Sequence, residues 1–406
     1  MTVEFCRATL PNELVVLGEV DPEAHTAAIG FFVKTGARDE EPALMGVSHF
    51  LEHMMFKGSQ TRTAADIDRE FDSIGADHNA FTTSEMTAFW AHLLPEHLPR
   101  AAEILADILR PAIRAQDFDD EKKVILEEIA MYEDQPFWVL YEQTMEAFYQ
   151  GSRLSHRVLG TRQTVDAMRQ DQMAAYFRRR YSSDNITVAL AGRLDFDAIC
   201  RELQRHTSTW QRIGAARSYP PLSYTQQEVS ISSAKVSRDY TIMAAPAPAI
   251  AEEDRYAAAI LAQILGGAEG SRFYWALVET GLAEEAQAQY EGHDGVGLFL
   301  LFATCSPGDA DEVHKVMMQQ IRQLPETLSA DDLVRVRSKI ATGATLQGEV
   351  PAGRMHRLGR LWTSTGEYRS LDAELQRINA VTLNDLRELY CRYPFRPLVT
   401  GHLRPE

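Results

Sequence analysis

Two pairs of similar segments recur at one separation along this chain, and that regularity constrains the fold more than any other feature of the sequence. The first pair is MTAFWAHLLPEHLPRAAEILADIL, from Met86, and VGLFLLFATCSPGDADEVHKVMMQQI, from Val296. The second pair is MAAYFRRRYSSDNITVALAGRL, from Met173, and LRELYCRYPFRPLVTGHL, from Leu386. Both pairs are separated by about 210 positions, and similarity at a fixed period indicates repeated structural units. We therefore predict two copies of one α/β unit, with chance similarity between patterned segments as the alternative.

The length of the chain agrees with two domains. A chain of 406 residues exceeds a usual single core and fits two domains of about 200 residues each. The segment SYPPLSYTQQ at 218–227 breaks the helical pattern with paired prolines, so we predict domains at 1–217 and 218–406. Short apolar strands alternate with amphipathic helices in both. The predicted fold class is α/β (α+β), with two homologous halves that each hold a mostly antiparallel sheet flanked by helices.

Charge and hydropathy exclude several classes of function. The formal net charge of -17 repels nucleic-acid phosphate, and no basic patch offsets it, so nucleic acid is not an expected partner. No apolar run reaches the roughly 20 residues that a membrane span needs. The four cysteines form no C-x-x-C pair, and the first residues lack a basic segment followed by an apolar one. We expect a cytoplasmic protein, and a processed periplasmic form remains open.

The segment GVSHFLEHMMFKG carries a pattern that can bind a metal ion. On a helix, His53 lies about 40° from His49 and Glu52 about 60° to the other side, so the three side chains share one face. Two neutral imidazoles four residues apart can hold one Zn²⁺, and the carboxylate between them can accept a proton from water. This is the H-x-x-E-H order of the inverzincins. Because so short a pattern also arises by chance, it needs independent support.

A second predicted helix, DDEKKVILEEIAMYED, can supply the missing ligand. Catalytic zinc usually has three protein ligands and one open position. Glu121 and Glu128 are seven residues apart and therefore only about 20° apart around a helix, whereas Glu127 points elsewhere. Taken alone, such a pair more often belongs to a solvated helix face.

These residues together resemble the M16 peptidases, the group of pitrilysin, insulysin and the mitochondrial processing peptidase. In that family H-x-x-E-H is followed some 75 residues later by a zinc-binding Glu, with another Glu seven residues before it; here Glu128 lies 75 positions after His53. The resemblance implies His49, His53 and Glu128 as zinc ligands, Glu52 as the general base and Glu121 as a supporting catalytic carboxylate. It extends through HFLEHMMFKGSQTRT, FDSIGADHNAFTTSEMTAFW, EKKVILEEI and HRVLGT, in the family's order.

The segment ADHNAFTTSEMTAFW predicts a hairpin that can bind peptide. Its residues alternate before a second strand that begins near Glu85, and an exposed edge strand can pair with an extended peptide. In similar proteins this strand lies beside the zinc, which implies Asn79, Ala80 and Phe81 as substrate-binding residues. An ordinary surface hairpin is the alternative, and His78 is expected at the surface or behind the ligands.

The C-terminal half departs from the family pattern in one segment, ILGGAEGSRFYWALVETGLAEEAQA. Its glycines and the Ser-Arg step match the family, but Val278 and Glu284 stand where active members have an Arg and a Tyr that contact the substrate and the developing oxyanion. The resemblance therefore implies that a partner chain supplies this pair. We expect a heterodimer with a related M16 subunit, with a homodimer as the other possibility.

The sequence thus predicts a zinc endopeptidase subunit whose substrate is an extended or unfolded peptide. The resemblance implies that the two halves form half of a clamshell chamber. A non-catalytic scaffold subunit is the main alternative, although a scaffold would need no zinc ligands. A purely structural zinc site is a second alternative, and it leaves Glu52, a carboxylate on the ligand face, without a role.

Overall fold

A computed structural model describes residues 3–219 and 222–406, which form two compact units. Unit 1 comprises residues 3–129, 156–219 and 346–368, and unit 2 comprises the remaining described residues. Each unit therefore includes a segment from the opposite half of the sequence. The boundary at 217/218 remains a prediction, and Pro220 and Pro221, on which it depended, lie outside the described residues.

Eleven strands and fourteen α-helices are found in the described residues. The strands are β1 (Glu4–Thr9), β2 (Val15–Val20), β3 (Ala27–Val33), β4 (Asp77–Thr82), β5 (Thr87–Leu93), β6 (Ile186–Gly192), β7 (Gln227–Ser232), β8 (Asp239–Ala247), β9 (Glu285–His293), β10 (Val296–Cys305) and β11 (Val399–Arg404). The helices are α1 (Val47–Phe56), α2 (Ala64–Ser73), α3 (Leu98–Ile108), α4 (Ala115–Glu133), α5 (Pro136–Phe148), α6 (Arg162–Ala167), α7 (Gln170–Arg180), α8 (Phe196–Thr207), α9 (Arg255–Gly266), α10 (Ala310–Thr327), α11 (Ala330–Glu349), α12 (Pro351–Thr365), α13 (Leu371–Ala380) and α14 (Leu383–Arg392).

The two sheets share a five-strand topology, to which unit 1 adds β1 at one edge. In unit 1 the strand order is β1-β2-β6-β3-β5-β4, and in unit 2 it is β7-β11-β8-β10-β9. Strands β2 to β6 therefore correspond in order to β7 to β11. Only β2–β6 and β7–β11 pair in parallel among the described strands, and the other neighbouring strands are antiparallel. The predicted fold class is confirmed, and the repeated segments occupy equivalent places: β5–α3 matches β10–α10, and α7–β6 matches α14–β11.

The sheet of unit 1 is covered on both faces. Helices α1 and α3 contribute to a large core on one face, and α12 packs on the other. Phe32 of β3 is fully buried against α12, and a β-carbon at Gly359 would lie 2.1 Å from its ring. Helix α12 can therefore approach the sheet this closely only because position 359 lacks a side chain.

Unit 2 is built on the same plan. Helices α9 and α10 contribute to one core, and α5 packs against β8 and β11 on the other face through Leu140. Within the described residues, no helix combines the length and the apolarity that crossing a bilayer requires.

Candidate metal centre

Helix α1, which carries the H-x-x-E-H pattern, begins at a tightly defined turn. Gly46, which precedes it, has a φ of 94°, and a β-carbon there would lie 2.5 Å from the carbonyl oxygen of Leu159. Glu40, fully buried, accepts the backbone N–H groups of Gly46 and Ser48, each at 2.7 Å. This carboxyl group satisfies N–H donors that the first turn of a helix leaves without partners. Glu40, a residue outside the helix, therefore fixes the position where α1 begins.

Three side chains on α1 and α4 converge on one point. The Nε2 atoms of His49 and His53 each lie 3.7 Å from Oε2 of Glu128. One ligand atom from each of the three residues lies within 4.8 Å of the others. The four-residue spacing brings the imidazoles to one face, with ring centroids 4.7 Å apart. The structure thus brings together the three ligands predicted from the sequence.

Glu121, about two helical turns before Glu128, lies behind the predicted ligands. Its Oε1 is 2.8 Å from Nδ1 of His53, and its Oε2 is 2.5 Å from Nζ of Lys57. Burial disfavours the charged imidazole, but the hydrogen bond and charge of Glu121 outweigh it and raise the pKa of His53. Burial likewise opposes the Glu121 carboxylate, but His53 and Lys57 lower its pKa. A charged Glu121 therefore holds the His53 ring with Nε2 directed at the cluster.

Glu52 lies on the same face of α1 but is held by a strand. Thr82, at the end of β4, donates a hydrogen bond from Oγ1 to Oε2 of Glu52 at 2.5 Å. Burial raises the pKa of Glu52, and this hydrogen bond opposes the shift. A raised carboxyl pKa suits a group that must accept a proton and later release it near neutral pH.

Strand β4 lies at the edge of its sheet and turns alternate residues to opposite faces. Ala80 packs against the core that contains α1, and Thr82 on the same face reaches Glu52. Phe81 faces α12 instead. The backbone N–H of Ala80 donates to Oδ1 of Asn79 at 2.8 Å, so this donor is turned away from β5 and lies at the open edge. The predicted substrate strand is thus an edge strand that ends at the proposed catalytic carboxylate.

The donor set of the cluster fits zinc. Two imidazole nitrogens and one carboxylate oxygen are ligands that Zn²⁺ prefers, and three protein ligands leave one coordination position open. Burial, with a smaller contribution from His53, lowers the pKa of His49 to about 3, which keeps it in the neutral form that binds metal. Burial also raises the pKa of Glu128, and a cation in the cluster would offset that cost.

Comparison with known proteins identifies the family. Residues 15–162 match the family model described as Insulinase (Peptidase family M16), and residues 167–340 match that of the Peptidase M16 inactive domain. A Streptomyces coelicolor protein named as an uncharacterized zinc protease is 32% identical over 394 residues, which cover 94% of this chain and 85% of the relative. The chain belongs to peptidase family M16. A zinc protease named YmxG, from Bacillus subtilis and also described as uncharacterized, is 26% identical to this M16 chain and covers 94% of both chains.

Solved structures confirm the two-domain M16 fold. A protease from Helicobacter pylori superposes with a TM-score of 0.93 at 18% identity and covers 100% of both chains. A Pseudomonas fluorescens structure described as a peptidase M16 inactive domain gives a TM-score of 0.90 at 16% identity, and covers 100% of this chain and 99% of that one.

Three supporting residues were not predicted from the sequence. Lys57 follows His53 by four residues, so helical spacing could have placed it on the ligand face. Thr82 immediately follows the predicted substrate residues, but nothing in the sequence connects its hydroxyl with Glu52. Glu40 is separated from the H-x-x-E-H segment by a turn, and its role depends on the tertiary path of that turn.

The two departures from the family pattern lie in unit 2. Val278 is partly buried against the core of that unit. Glu284 precedes β9, is exposed and forms an ion pair with Arg238. Neither side chain offers a cation or a hydroxyl group at these positions.

Proposed function

We propose that this M16 chain is the zinc-bearing subunit of a peptidase that hydrolyses extended or unfolded peptides. The observation that carries the proposal is the geometry around Glu52: a carboxylate hydrogen-bonded by the edge strand β4, on the same helix face as His49 and His53. In this proposal His49, His53 and Glu128 hold the metal. When bound, Zn²⁺ supplies Lewis-acid chemistry, polarising the scissile carbonyl and making water more acidic.

The chain's own residues then carry out the proton transfers. Glu52 accepts a proton from water at its carboxylate and later donates it to the leaving amine. Thr82 holds Glu52 through Oε2, which leaves Oε1 available for that exchange. Glu121 orients His53 and so supports the metal ligand rather than touching the substrate.

Strand β4 is proposed to bind the substrate backbone by strand addition. The N–H of Ala80 is the donor at the open edge, and in the absence of a peptide Oδ1 of Asn79 occupies it. A peptide carbonyl would displace that amide oxygen. Because this contact reads the backbone, it favours extended or unfolded chains over folded ones.

The test combines metal analysis with hydrolysis of an unfolded, labelled peptide. Glu52→Gln should retain about one zinc per chain and lose hydrolysis by about 10²- to 10⁴-fold, since only proton transfer is removed. Glu127→Gln is the matched control, because Glu127 is an exposed residue of α4 adjacent to Glu128. Zinc loss in Glu52→Gln would contradict its role as the base, and a zinc-loaded wild type without hydrolysis in any assembly would favour a structural site.

The proposal includes a partner subunit. Val278 and Glu284 leave unit 2 without the Arg and Tyr expected of active members, and the loss of one preorganised oxyanion donor costs about 10²- to 10³-fold in rate. A related M16 chain that retains this pair would therefore complete the site in a heterodimer. A non-catalytic scaffold role fits less well, because a scaffold would not need the ligand cluster.

The partner proposal is tested by reconstitution. Peptide hydrolysis is measured for this chain alone, for a related M16 chain from the same genome that carries the Arg and Tyr, and for their mixture. We expect a gain in the mixture of about 10²-fold over the sum of the separate rates, as the missing oxyanion donor predicts. Full activity of this chain alone, as a monomer or homodimer in sedimentation, would refute the need for a partner.

A further inference from the structure

An arginine of α12 lies against the face of β4 that is opposite the metal cluster. Phe81 of β4 lies beneath the guanidinium of Arg360 on α12, with 4.5 Å between the Arg360 Cζ atom and the ring centroid. His356, one turn earlier on α12, lies 6.0 Å from the Phe81 ring and 5.2 Å from that of Trp90. Burial, with a smaller contribution from Arg360, lowers the pKa of His356 to about 4, so this histidine is neutral at pH 7.

Arg360 differs from the other arginines of α12. Arg354 pairs with Asp21 at 2.9 Å and Arg357 with Glu19 at 2.5 Å, and both carboxylates are buried. In the part of the chain that the structure describes, Arg360 has the aromatic contact but no hydrogen bond or ion pair. Its side chain is exposed at the surface of unit 1, although nearby protein atoms displace enough water to lower its pKa. Arginine stays charged at neutral pH despite such a shift.

Strand addition would bring a substrate side chain to this arginine. Residues directly opposite each other in paired strands project from the same face, with Cβ atoms about 4.5 to 5.5 Å apart. The substrate residue that pairs with Phe81 therefore projects toward α12 and Arg360. The adjacent strand residue, Thr82, holds Glu52, so this subsite lies next to the catalytic carboxylate.

We propose that Arg360 is a specificity-determining residue that selects an aspartate or glutamate side chain at the substrate position paired with Phe81. The inference rests on the proposed role of β4 as the substrate strand. A carboxylate would supply the partner that Arg360 lacks, and the Phe81 ring would support the planar guanidinium from the opposite side. A partly desolvated, charge-assisted hydrogen bond corresponds to a preference of about tenfold over the neutral amide.

The test measures peptide binding without turnover. In a Glu52→Gln background, fluorescence anisotropy is recorded for labelled ten-residue peptides whose other side chains are uncharged. A single Glu, or the matching Gln, is moved along their sequence. At one position we expect Glu to bind about tenfold more tightly than Gln. Adding Arg360→Met, which keeps a stem over Phe81, should bring that ratio close to one. Arg201→Met, on the exposed surface of α8 in the same unit, removes the same charge and should leave the ratio unchanged.

The outcomes separate this inference from the proposed function. Three results would overturn the role of Arg360 and indicate that it only covers the Phe81 ring. These are equal affinities for Glu and Gln at every position, no measurable binding, and a Glu preference that survives Arg360→Met. If the preference depends on Arg360 but wild type, alone and with its partner, fails to cleave the best-bound peptide, the specificity role stands and the peptidase proposal fails. Cleavage without any preference for Glu would refute the specificity role and leave the peptidase proposal intact.

Discussion

The buried carboxyl group of Glu40 provides the sharpest test of how α1 is positioned. Its two oxygens accept the N–H groups of Gly46 and Ser48, one each, where α1 begins. In Glu40→Gln the side-chain amide keeps one acceptor oxygen and places an NH₂ group against the other N–H. One buried donor therefore loses its partner, at a cost of about 1 to 3 kcal/mol. Glu40→Ala removes both acceptors, and the cost should be about twice as large, apart from the cavity it creates.

A less stable first turn of α1 should also displace the proposed metal ligands. His49 lies one residue after Ser48, so a shift in the first turn of α1 moves an imidazole of the cluster. We expect Glu40→Gln to lower both the free energy of unfolding in urea and the zinc affinity measured against a chelator. Glu41→Gln, which makes the same side-chain change at an exposed neighbour, is the control. Unchanged stability and zinc affinity in Glu40→Gln would refute the proposed anchoring of α1.

The pH dependence of this effect has a definite sign. Burial, opposed by the hydrogen bonds from Ser48 and Gly46, raises the pKa of Glu40 from 4.5 to about 8. The folded protein therefore binds a proton that the unfolded chain has released, and this stabilisation is complete below about pH 4.5 and is lost as the pH rises through about 8. The difference in unfolding free energy between wild type and Glu40→Gln should shrink over that range. A difference that grows with pH would mean that the folded protein holds Glu40 as a carboxylate.

Three further predictions concern the site and its support. Glu121→Gln should weaken zinc binding by about 10- to 100-fold, because it loosens the proposed ligand His53. Equal affinity in a chelator competition would contradict this. The metal-free fold raises the pKa of His53 above 6.5. Protonation of His53 therefore stabilises the metal-free protein below pH 6.5, and this stabilisation is lost as the pH rises through the raised pKa. Apparent zinc affinity should increase over the same pH range in titrations at fixed ionic strength. Gly359→Leu should destabilise the protein by at least about 1 to 3 kcal/mol in thermal unfolding, because the new side chain meets the buried Phe32 ring. Gly343→Ala in α11 is the control: a β-carbon there meets no atom within 4 Å, so this change should be neutral or stabilising.

The parts of the site that could be predicted from the sequence are those fixed by local geometry. Helical periodicity alone places His49, Glu52 and His53 on one face, and it places Glu121 and Glu128 on another shared face. The alternation before Glu85 is enough to predict the hairpin of β4 and β5. These predictions succeed because each depends on residues within one element or one turn, where backbone geometry leaves few alternatives.

The residues that could not be predicted come from elements far apart in the sequence. Arg360 reaches Phe81 across 279 positions because residues 346–368 belong to unit 1, and no local pattern marks α12 as part of that unit. The absence of a side chain at Gly359 makes room for the Phe32 ring. The contact between α12 and the sheet can therefore be inferred only from the two residues together. Periodicity identifies the apolar face of a helix but not the sheet that this face covers. A division of the sequence into two halves therefore recovers the repeat but does not indicate that α12 packs on the sheet of unit 1. The side chains that α12 brings to β4 become visible only in the folded unit.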